Sequence, residues 1–252
     1  RKAAFQFTVR AAAAVFAVVA LSAVLSVFIA DAGLSGRRQY AAAVETRVGE
    51  ARTMSLSDGS EIELNTASKV EVSYSKSSRN VRLYAGEAFF SVEKDKDRPF
   101  TVDAGNALVT VTGTAFNVSA FGDRTAIHVL SGVVDVKPQS SLSQTLLAGD
   151  MIEIDGSGRA AGIVRFDPNL ALAWRSGKAR FRETPLRDVI ETLNRYFEDP
   201  ISIQDEDLES LPVTGEFDIH DRTTAVMALA AAFGLKATIE DDEAVLSKPE
   251  GP

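Results

Sequence analysis

At 252 residues the chain is long enough for two domains and a membrane anchor, and it contains no cysteine. The lack of cysteine excludes a disulfide framework and any thiolate metal site. The net charge of −8 is uneven, because residues 1–176 hold 19 basic and 18 acidic side chains whereas residues 177–252 hold 8 and 17. Phosphate groups need a basic protein face, so this balance argues against nucleic acid as a partner of the C-terminal part.

Residues 11–30 carry no formal charge. A helix of this length covers about 30 Å, the hydrocarbon thickness of a bilayer, so the run predicts a transmembrane helix. Basic side chains precede the run and Asp31 follows it, which favours a cytoplasmic stub at residues 1–10 and a periplasmic location for the bulk of the chain. A cleaved signal peptide is the alternative, although the run is longer than a usual signal core. Residues 31–44 are small and polar and predict a juxtamembrane tether.

Short runs of alternating apolar residues follow in residues 45–154, as at Val81, Leu83, Phe90 and Val92. A period of two predicts strands with one buried face. Turn formers separate the runs, and Asp58-Gly59 indicates a tight hairpin. The spacing leaves no room for the helical crossovers of a parallel sheet. We therefore expect an antiparallel all-β domain, either a sandwich or a twisted barrel-like fold.

Residues 155–176 contain several turn formers and predict a linker. This segment holds the only tryptophan of the chain, Trp174. Its side chain is either an ordinarily packed aromatic or a contact between two domains.

Residues 177–248 show a different pattern, in which short strands alternate with two helical stripes. Thr184 is the expected N-cap of the first helix, whose apolar stripe runs on to Tyr196 and Phe197, and Asp221 is the expected N-cap of the second. The segment predicts a small α+β domain with the order β-α-β-β-α-β-β. The chain as a whole is expected to be mainly β.

The sequence contains no phosphate-binding loop, nucleophile elbow or zinc-protease motif. Its two histidines, His128 and His220, lie in different predicted domains, and an outward-facing imidazole on a strand is the simplest explanation of His128. We expect no cofactor, no metal and no conventional active site.

An ordered set of motifs resembles the periplasmic part of FecR-type transmembrane sensors, which are anti-sigma regulators. The motifs are Val48-Gly49-Glu50-Ala51-Arg52, Leu56-Ser57-Asp58-Gly59-Ser60, Leu64-Asn65, Arg79, Leu83, Gly86-Glu87-Ala88-Phe89-Phe90, Arg98-Pro99-Phe100, Gly113-Thr114-Ala115-Phe116-Asn117-Val118, Gly132-Val133-Val134 and Leu147-Ala148-Gly149. Residues 177–248 resemble the secretin and TonB short N-terminal domain, which FecR-type sensors carry at their C-terminus.

The resemblance implies a single-pass protein of the inner membrane that transmits a signal. Its periplasmic part is expected to bind the signalling domain of a TonB-dependent outer-membrane transporter. It would relay that event to an extracytoplasmic-function sigma factor through a cytoplasmic region that lies outside these residues. Regulation of iron uptake is typical of the family. A FecR-like Trp174 would also contact both periplasmic domains.

Two features of the C-terminal domain are candidates for the partner surface. An open sheet edge recruits strands from other chains, and we expect such an edge either at Val213, Gly215, Phe217 and Ile219 or at Val245 and Leu246. Acidic side chains at Asp205, Glu206 and Asp207 would steer a basic patch of the partner. The alternative is that these carboxylates only keep the domain soluble.

One position carries possible chemistry. Gly113-Thr114 matches the pair at which some FecR-type sensors resemble self-cleaving proteins. The Thr114 hydroxyl would attack the preceding carbonyl in a strained turn, and water would open the resulting ester. The alternative is a turn glycine followed by an ordinary strand residue.

Two other functional classes remain open from the sequence. One is a membrane-tethered module that binds envelope glycans or serves adhesion, which exposed aromatic side chains on one face would support. The other is a hydrolase on a β scaffold, which the lack of a nucleophile with its base disfavours.

Overall fold

The computed structural model describes residues 40–240 and 242–249, which belong to one compact unit. The predicted transmembrane helix and cytoplasmic stub lie outside the described residues. Within the described ranges, no helix is long and apolar enough to cross a membrane. The first strand begins at Tyr40 and pairs with residues 69–74, so the predicted tether is wrong at its last five residues, which belong to the sheet.

Residues 40–165 form the part that we call the β-domain. Its strands are β1 (Tyr40–Glu45), β2 (Arg52–Ser55), β3 (Glu61–Leu64), β4 (Lys69–Tyr74), β5 (Arg79–Ser91), β6 (Phe100–Asp103), β7 (Ala107–Val111), β8 (Ala115–Phe121), β9 (Arg124–Ser131), β10 (Val133–Pro138), β11 (Gln144–Leu147), β12 (Asp150–Ile154) and β13 (Val164–Arg165). All of them join one curled sheet whose main path is β11-β10-β7-β6-β5-β8-β9-β12-β13. The expectation of a mainly β fold is confirmed, and the strand pairs of the β-domain are antiparallel with one exception.

Strand β5 organises the sheet because its two halves have different neighbours. Residues 79–85 pair with β4 and residues 79–82 also pair with β6, whereas residues 86–91 pair with β8 and residues 88–91 also pair with β3. The change occurs at Gly86, which has φ +90° and where an added Cβ would lie 2.4 Å from Ser68 Cα. Glycine is needed at this bend for both reasons. The inner face encloses an apolar core that includes Phe90, Phe100 and Phe116.

The expectation that all neighbouring strands are antiparallel is wrong at β5 and β6, which are parallel with Arg79 opposite Phe100. After the end of β5, residues 92–99 return the chain to the start of the same strand, where β6 begins beside Arg79. This short connection contains no helix. Buried Arg79 fixes this return, since its guanidinium donates hydrogen bonds to the carbonyls of Glu93 (2.9 Å), Asp95 (3.2 Å) and Arg98 (2.7 Å). It also forms an ion pair with Asp58 at 2.8 Å.

The C-terminal domain follows a linker that holds a short helix, α1 (Pro168–Ala171), and a 3-10 helix (Ala173–Ser176). Its elements are β14 (Lys178–Pro185), α2 (Leu186–Leu193), β15 (Ile201–Ile203), β16 (Pro212–Asp218), α3 (Arg222–Phe233), β17 (Lys236–Ile239) and β18 (Ala244–Ser247), with a 3-10 helix at Glu206–Leu208. The order β-α-β-β-α-β-β is as predicted. The strands form two small sheets, β14-β16 and β15-β18-β17.

The predicted ends of the first helix are wrong. Strand β14 continues to Pro185, and Thr184 donates its hydroxyl to the carbonyl of Arg182 at 3.4 Å instead of capping α2. The helix ends at Leu193 because the amide side chain of Asn194 bonds both backbone groups of Ile201, each at 2.8 Å. Tyr196 and Phe197 therefore lie in the loop after α2. The N-cap at Asp221 is confirmed by its hydrogen bond from Thr224 N at 2.8 Å.

Candidate functional site at the domain junction

The β-domain and the C-terminal domain meet around a buried carboxyl group, that of Glu87, directly after the bend in β5. The Glu87 side chain accepts hydrogen bonds from the amide nitrogens of Asn65 and Asn117, each at 2.8 Å. Both amides come from the β-domain, Asn65 after β3 and Asn117 on β8. Only 8% of Glu87 is exposed.

Two hydrogen bonds tie this region to the loop after α2. The amide nitrogen of Asn65 also donates to the hydroxyl of Tyr196 at 2.8 Å, and the hydroxyl of Thr66 donates to the carbonyl of Arg195 at 2.8 Å. Tyr196 is buried. We name Glu87, Asn65, Asn117, Tyr196 and Trp174 the Glu87 cluster.

Trp174 lies in the 3-10 helix between the two domains. Its side chain is buried in an apolar cluster that contains Phe89 of the β-domain together with Phe181 and Leu193 of the C-terminal domain. The indole nitrogen has no hydrogen-bond partner of normal geometry, although it lies close enough to Glu87 to lower the pKa of the carboxyl. The structure thus locates the tryptophan where atoms of both domains surround it.

The electrostatics of the cluster follow from its burial. Removal from water raises the pKa of Glu87 above its ordinary value, and the hydrogen bonds from Asn117 and Asn65 offset this only in part. Burial also raises the pKa of Tyr196, and the charge of Glu87 adds to that effect. The phenol of Tyr196 therefore stays protonated.

Two arginine–aromatic contacts flank the cluster. The guanidinium carbon of Arg175 lies 3.7 Å from the ring centre of Phe89, and the same guanidinium forms a two-point hydrogen bond with Glu63 of β3. The guanidinium carbon of Arg195 lies 4.2 Å from the ring centre of Phe121. Each pair joins an arginine outside the β-domain to an aromatic ring inside it, and such contacts stabilise the packed arrangement.

A cleft of about 780 Å³ opens beside the cluster and is lined by both domains. Its walls include Glu87, Ser119, His128, Trp174 and Arg195. His128 faces away from the β-domain core, as expected from its strand, but it is half-buried in the cleft wall: burial lowers its pKa to about 4, and its ring contacts Phe166 edge-on with centres 5.0 Å apart. Its Nδ1 is buried without a hydrogen-bond partner.

The Gly113-Thr114 pair lies in the turn between β7 and β8. Gly113 has φ +148°, and an added Cβ would lie 2.8 Å from Lys94 Cα. Thr114 is buried, and its hydroxyl oxygen has no hydrogen-bond partner. Gly113 is therefore tightly packed, and the hydroxyl of the next residue, Thr114, makes no hydrogen bond.

The two predicted sheet edges have different outcomes. Val245 and Leu246 do not form an edge, because β18 pairs with β15 on one side and β17 on the other. Strand β16 pairs with β14 alone in its two-stranded sheet. The apolar side chains predicted there, Val213, Phe217 and Ile219, are buried in the core, and Gly215 has no side chain to offer. A strand recruited by β16 would therefore meet its backbone groups and the exposed side chains of Thr214 and Glu216 instead of the apolar side chains.

The acidic residues near the 3-10 helix at Glu206–Leu208 are partly engaged. Asp207 forms an ion pair with Lys248 at 2.7 Å, and Asp205 accepts a hydrogen bond from the backbone nitrogen of Lys248 at 2.8 Å. Glu206 is exposed. Within residues 40–240 and 242–249, no group of three or more histidine or acidic side chains is arranged to hold a metal ion.

Sequence reasoning did not identify Glu87 as a site residue. The available signal was the run Ala88-Phe89-Phe90, since adjacent bulky apolar residues on a strand cannot both face one core. Phe90 points into the β-domain core, whereas Phe89 packs with Trp174 and the C-terminal domain. Both faces of β5 are covered at this point.

Comparison with known proteins agrees with this architecture. The family described as "FecR protein" matches residues 42–135, and the family described as "FecR, C-terminal" matches residues 178–246. Comparison with curated proteins gives no significant match. Two crystal structures of a protein from Parabacteroides distasonis, provisionally described as an anti-sigma factor and solved at 2.50 and 1.65 Å, are similar to this chain with a TM-score of 0.71 and 27% identity. The similarity covers 83% and 82% of this chain and 100% and 99% of the respective relative. The chain belongs to the FecR family.

Proposed function

We propose that this protein is a transmembrane signal transducer that controls an extracytoplasmic-function sigma factor. Membership of the FecR family and the similarity to a protein provisionally described as an anti-sigma factor support a sigma-regulator role. The observation that carries the proposal is the Glu87 cluster, because it couples the C-terminal domain to the β-domain through buried hydrogen bonds and a shared apolar core.

The C-terminal domain receives the signal in this proposal. Its partner is the signalling domain of a TonB-dependent outer-membrane transporter, as the family resemblance implies. Residues 177–252 hold 17 acidic and 8 basic side chains, which favours a basic partner patch. Exposed Glu206 and the unpaired backbone edge of β16 are the contact candidates.

The signal then passes through the junction to the β-domain and on to the predicted membrane helix at residues 11–30. A partner can transmit information only if it binds one arrangement of the two domains more tightly than another. The buried contacts at Asn65, Tyr196 and Trp174 are the contacts that such a preference would strengthen or weaken. The inner membrane is the proposed location.

The test combines binding with a cellular readout. Isothermal calorimetry should detect binding between this chain and the signalling domain of the transporter encoded nearest to it, and Glu206→Lys should weaken that binding. The matched control is Glu45→Lys, an exposed charge reversal in the β-domain. The response of a sigma-dependent reporter should fall in Glu206→Lys and should remain unchanged in Glu45→Lys. Absence of binding to any such signalling domain, together with an unchanged reporter after deletion of residues 178–249, would contradict the proposal.

Self-cleavage between Gly113 and Thr114 is a second proposed activity, favoured by the unengaged Thr114 hydroxyl. The hydroxyl oxygen would attack the Gly113 carbonyl carbon, form an ester, and release the Thr114 nitrogen as an amine. Water would then hydrolyse the ester, leaving a carboxylate on Gly113 and restoring the hydroxyl. Glycan binding finds less support, since Tyr84 is the only highly exposed aromatic side chain among the described residues.

A further inference from the structure

Glu87 is an ionisable group in a pocket of neutral partners. Its hydrogen bonds come from two amides, and the indole of Trp174 is its other close polar neighbour. Among the described residues no basic side chain forms an ion pair with it. The positive charge of Arg195 acts on Glu87 only from a distance, because that guanidinium lies over the ring of Phe121.

A carboxylate without a charged partner is unfavourable in a buried site, and such a group takes up a proton instead. The surroundings of Glu87 can accommodate either form. The Oδ1 atom of Asn117 has no hydrogen-bond partner, so a half-turn of that amide would present an acceptor to a protonated Glu87 carboxyl. The Asn65 amide cannot turn in this way, since its Oδ1 already accepts a hydrogen bond from Thr66 N at 2.8 Å.

We propose that Glu87 makes the domain junction respond to protons: the neutral carboxyl favours the packed arrangement of the two domains, and the ionised carboxylate loosens it. The carboxyl is buried only while Tyr196 and Trp174 cover it, so separation of the domains would return it to water. Acidification therefore strengthens the contact between the domains, and a rise in pH weakens it.

The direction follows from proton linkage. The packed arrangement holds the Glu87 proton more tightly than the separated one, in which the pKa of Glu87 returns to its ordinary value of 4.5. The packed arrangement is then most stable below pH 4.5 with respect to this group. It loses that advantage as the pH rises from 4.5 through the raised pKa.

Other titratable groups around Glu87 do not reproduce this behaviour. Arg175 of the 3-10 helix and Glu63 of β3 are paired with each other, and Tyr196 of the loop after α2 keeps its proton because its pKa is raised. His128 of β9 acts in the opposite direction. Burial lowers its pKa from 6.5 to about 4, so exposure of this imidazole would let it bind a proton and would weaken the packed state as the pH falls from 6.5 to about 4.

Trp174 offers a direct readout, because it is the only tryptophan in the chain and lies beside Glu87. The intrinsic fluorescence of the 252-residue protein should show a transition with a midpoint above pH 4.5. Glu87→Gln, which keeps the shape without the titration, should lack that transition. Glu63→Gln is the control, since it removes a junction carboxylate whose partner is Arg175 and should leave the transition in place.

A second measurement covers the case in which Glu87→Gln does not fold. Carboxyl carbon NMR of the wild-type protein should give Glu87 a midpoint above 4.5. A midpoint at or below 4.5, or a fluorescence transition that survives in Glu87→Gln, would overturn the proposal. Neither measurement uses the transporter or the sigma factor, so a negative result here would leave the proposed signalling function untouched.

Discussion

Asn65 and Tyr196 lie 131 positions apart in the chain and are joined by a hydrogen bond of 2.8 Å between the amide nitrogen and the phenol oxygen. The same amide nitrogen holds Glu87, so one side chain links the bend of β5 to the loop after α2. The C-terminal domain is therefore connected to the β-domain by specific polar groups as well as by apolar packing.

Removal of the Tyr196 hydroxyl tests how much this connection contributes. Tyr196→Phe should lower the free energy of unfolding by about 1 kcal/mol, because the amide of Asn65 loses a buried hydrogen-bond partner. In a protein of this size the melting temperature should fall by about 2–4 °C. Differential scanning calorimetry measures the change. Tyr84→Phe is the control, because Tyr84 bonds Glu71 on the surface and is 45% exposed. An equal loss of stability in that variant would show that the hydrogen bond at the junction stabilises the protein no more than an exposed one.

Arg79 should be the most sensitive position of the β-domain. Arg79→Met is expected to cost roughly 3–5 kcal/mol, since it leaves Asp58 buried without its charged partner and frees three backbone carbonyls of the return segment. Urea unfolding at neutral pH gives the value. Arg82→Met removes an exposed ion pair with Asp103 at 3.7 Å and should cost about 1 kcal/mol or less. Similar losses for the two variants would contradict the prediction.

The Arg79–Asp58 pair also predicts how acid destabilises the protein. Burial works to raise the pKa of Asp58, but hydrogen bonds from Arg79 and Ser60 outweigh it, and the pKa lies below the ordinary value of 3.8. The contribution of this carboxylate is fully present above pH 3.8 and is lost as the pH falls through the lowered pKa. Urea midpoints between pH 5 and pH 2 should therefore fall less steeply in Asp58→Asn than in the wild type. Equal slopes would argue against the pair.

Self-cleavage is tested by a short variant series. If it occurs, the purified protein should give two fragments on a denaturing gel, one ending at Gly113 and one beginning at Thr114. Thr114→Ala should remain intact, whereas Thr114→Ser keeps a hydroxyl and should still cleave. Thr112→Ala, which changes an exposed residue of the same turn, should behave like the wild type. Intact wild-type protein, identical to Thr114→Ala after prolonged incubation, would exclude the activity.

Local sequence patterns were sufficient to predict those features that depend on residues close together in the chain. The hairpin at Asp58-Gly59, the alternation in the β-domain, and the order of elements in the C-terminal domain all follow from periodicity and turn formers. The end of α2 did not, because Asn194 ends the helix through contacts with Ile201 after the next turn. The parallel pairing of β5 with β6 likewise depends on a buried arginine whose partners lie up to 21 positions away.

By itself the sequence determined the family, the mainly β composition and the two-part organisation, since ordered motifs, apolar periods and turn residues are properties of short segments. Only the tertiary structure decided which polar residues matter at the junction. Asn65, Glu87, Asn117, Trp174 and Tyr196 come from five separate segments, and their burial and hydrogen bonds exist only when the chain has folded. The same holds for the strand edges, because a strand is central or exposed according to what pairs with it, which no local pattern specifies.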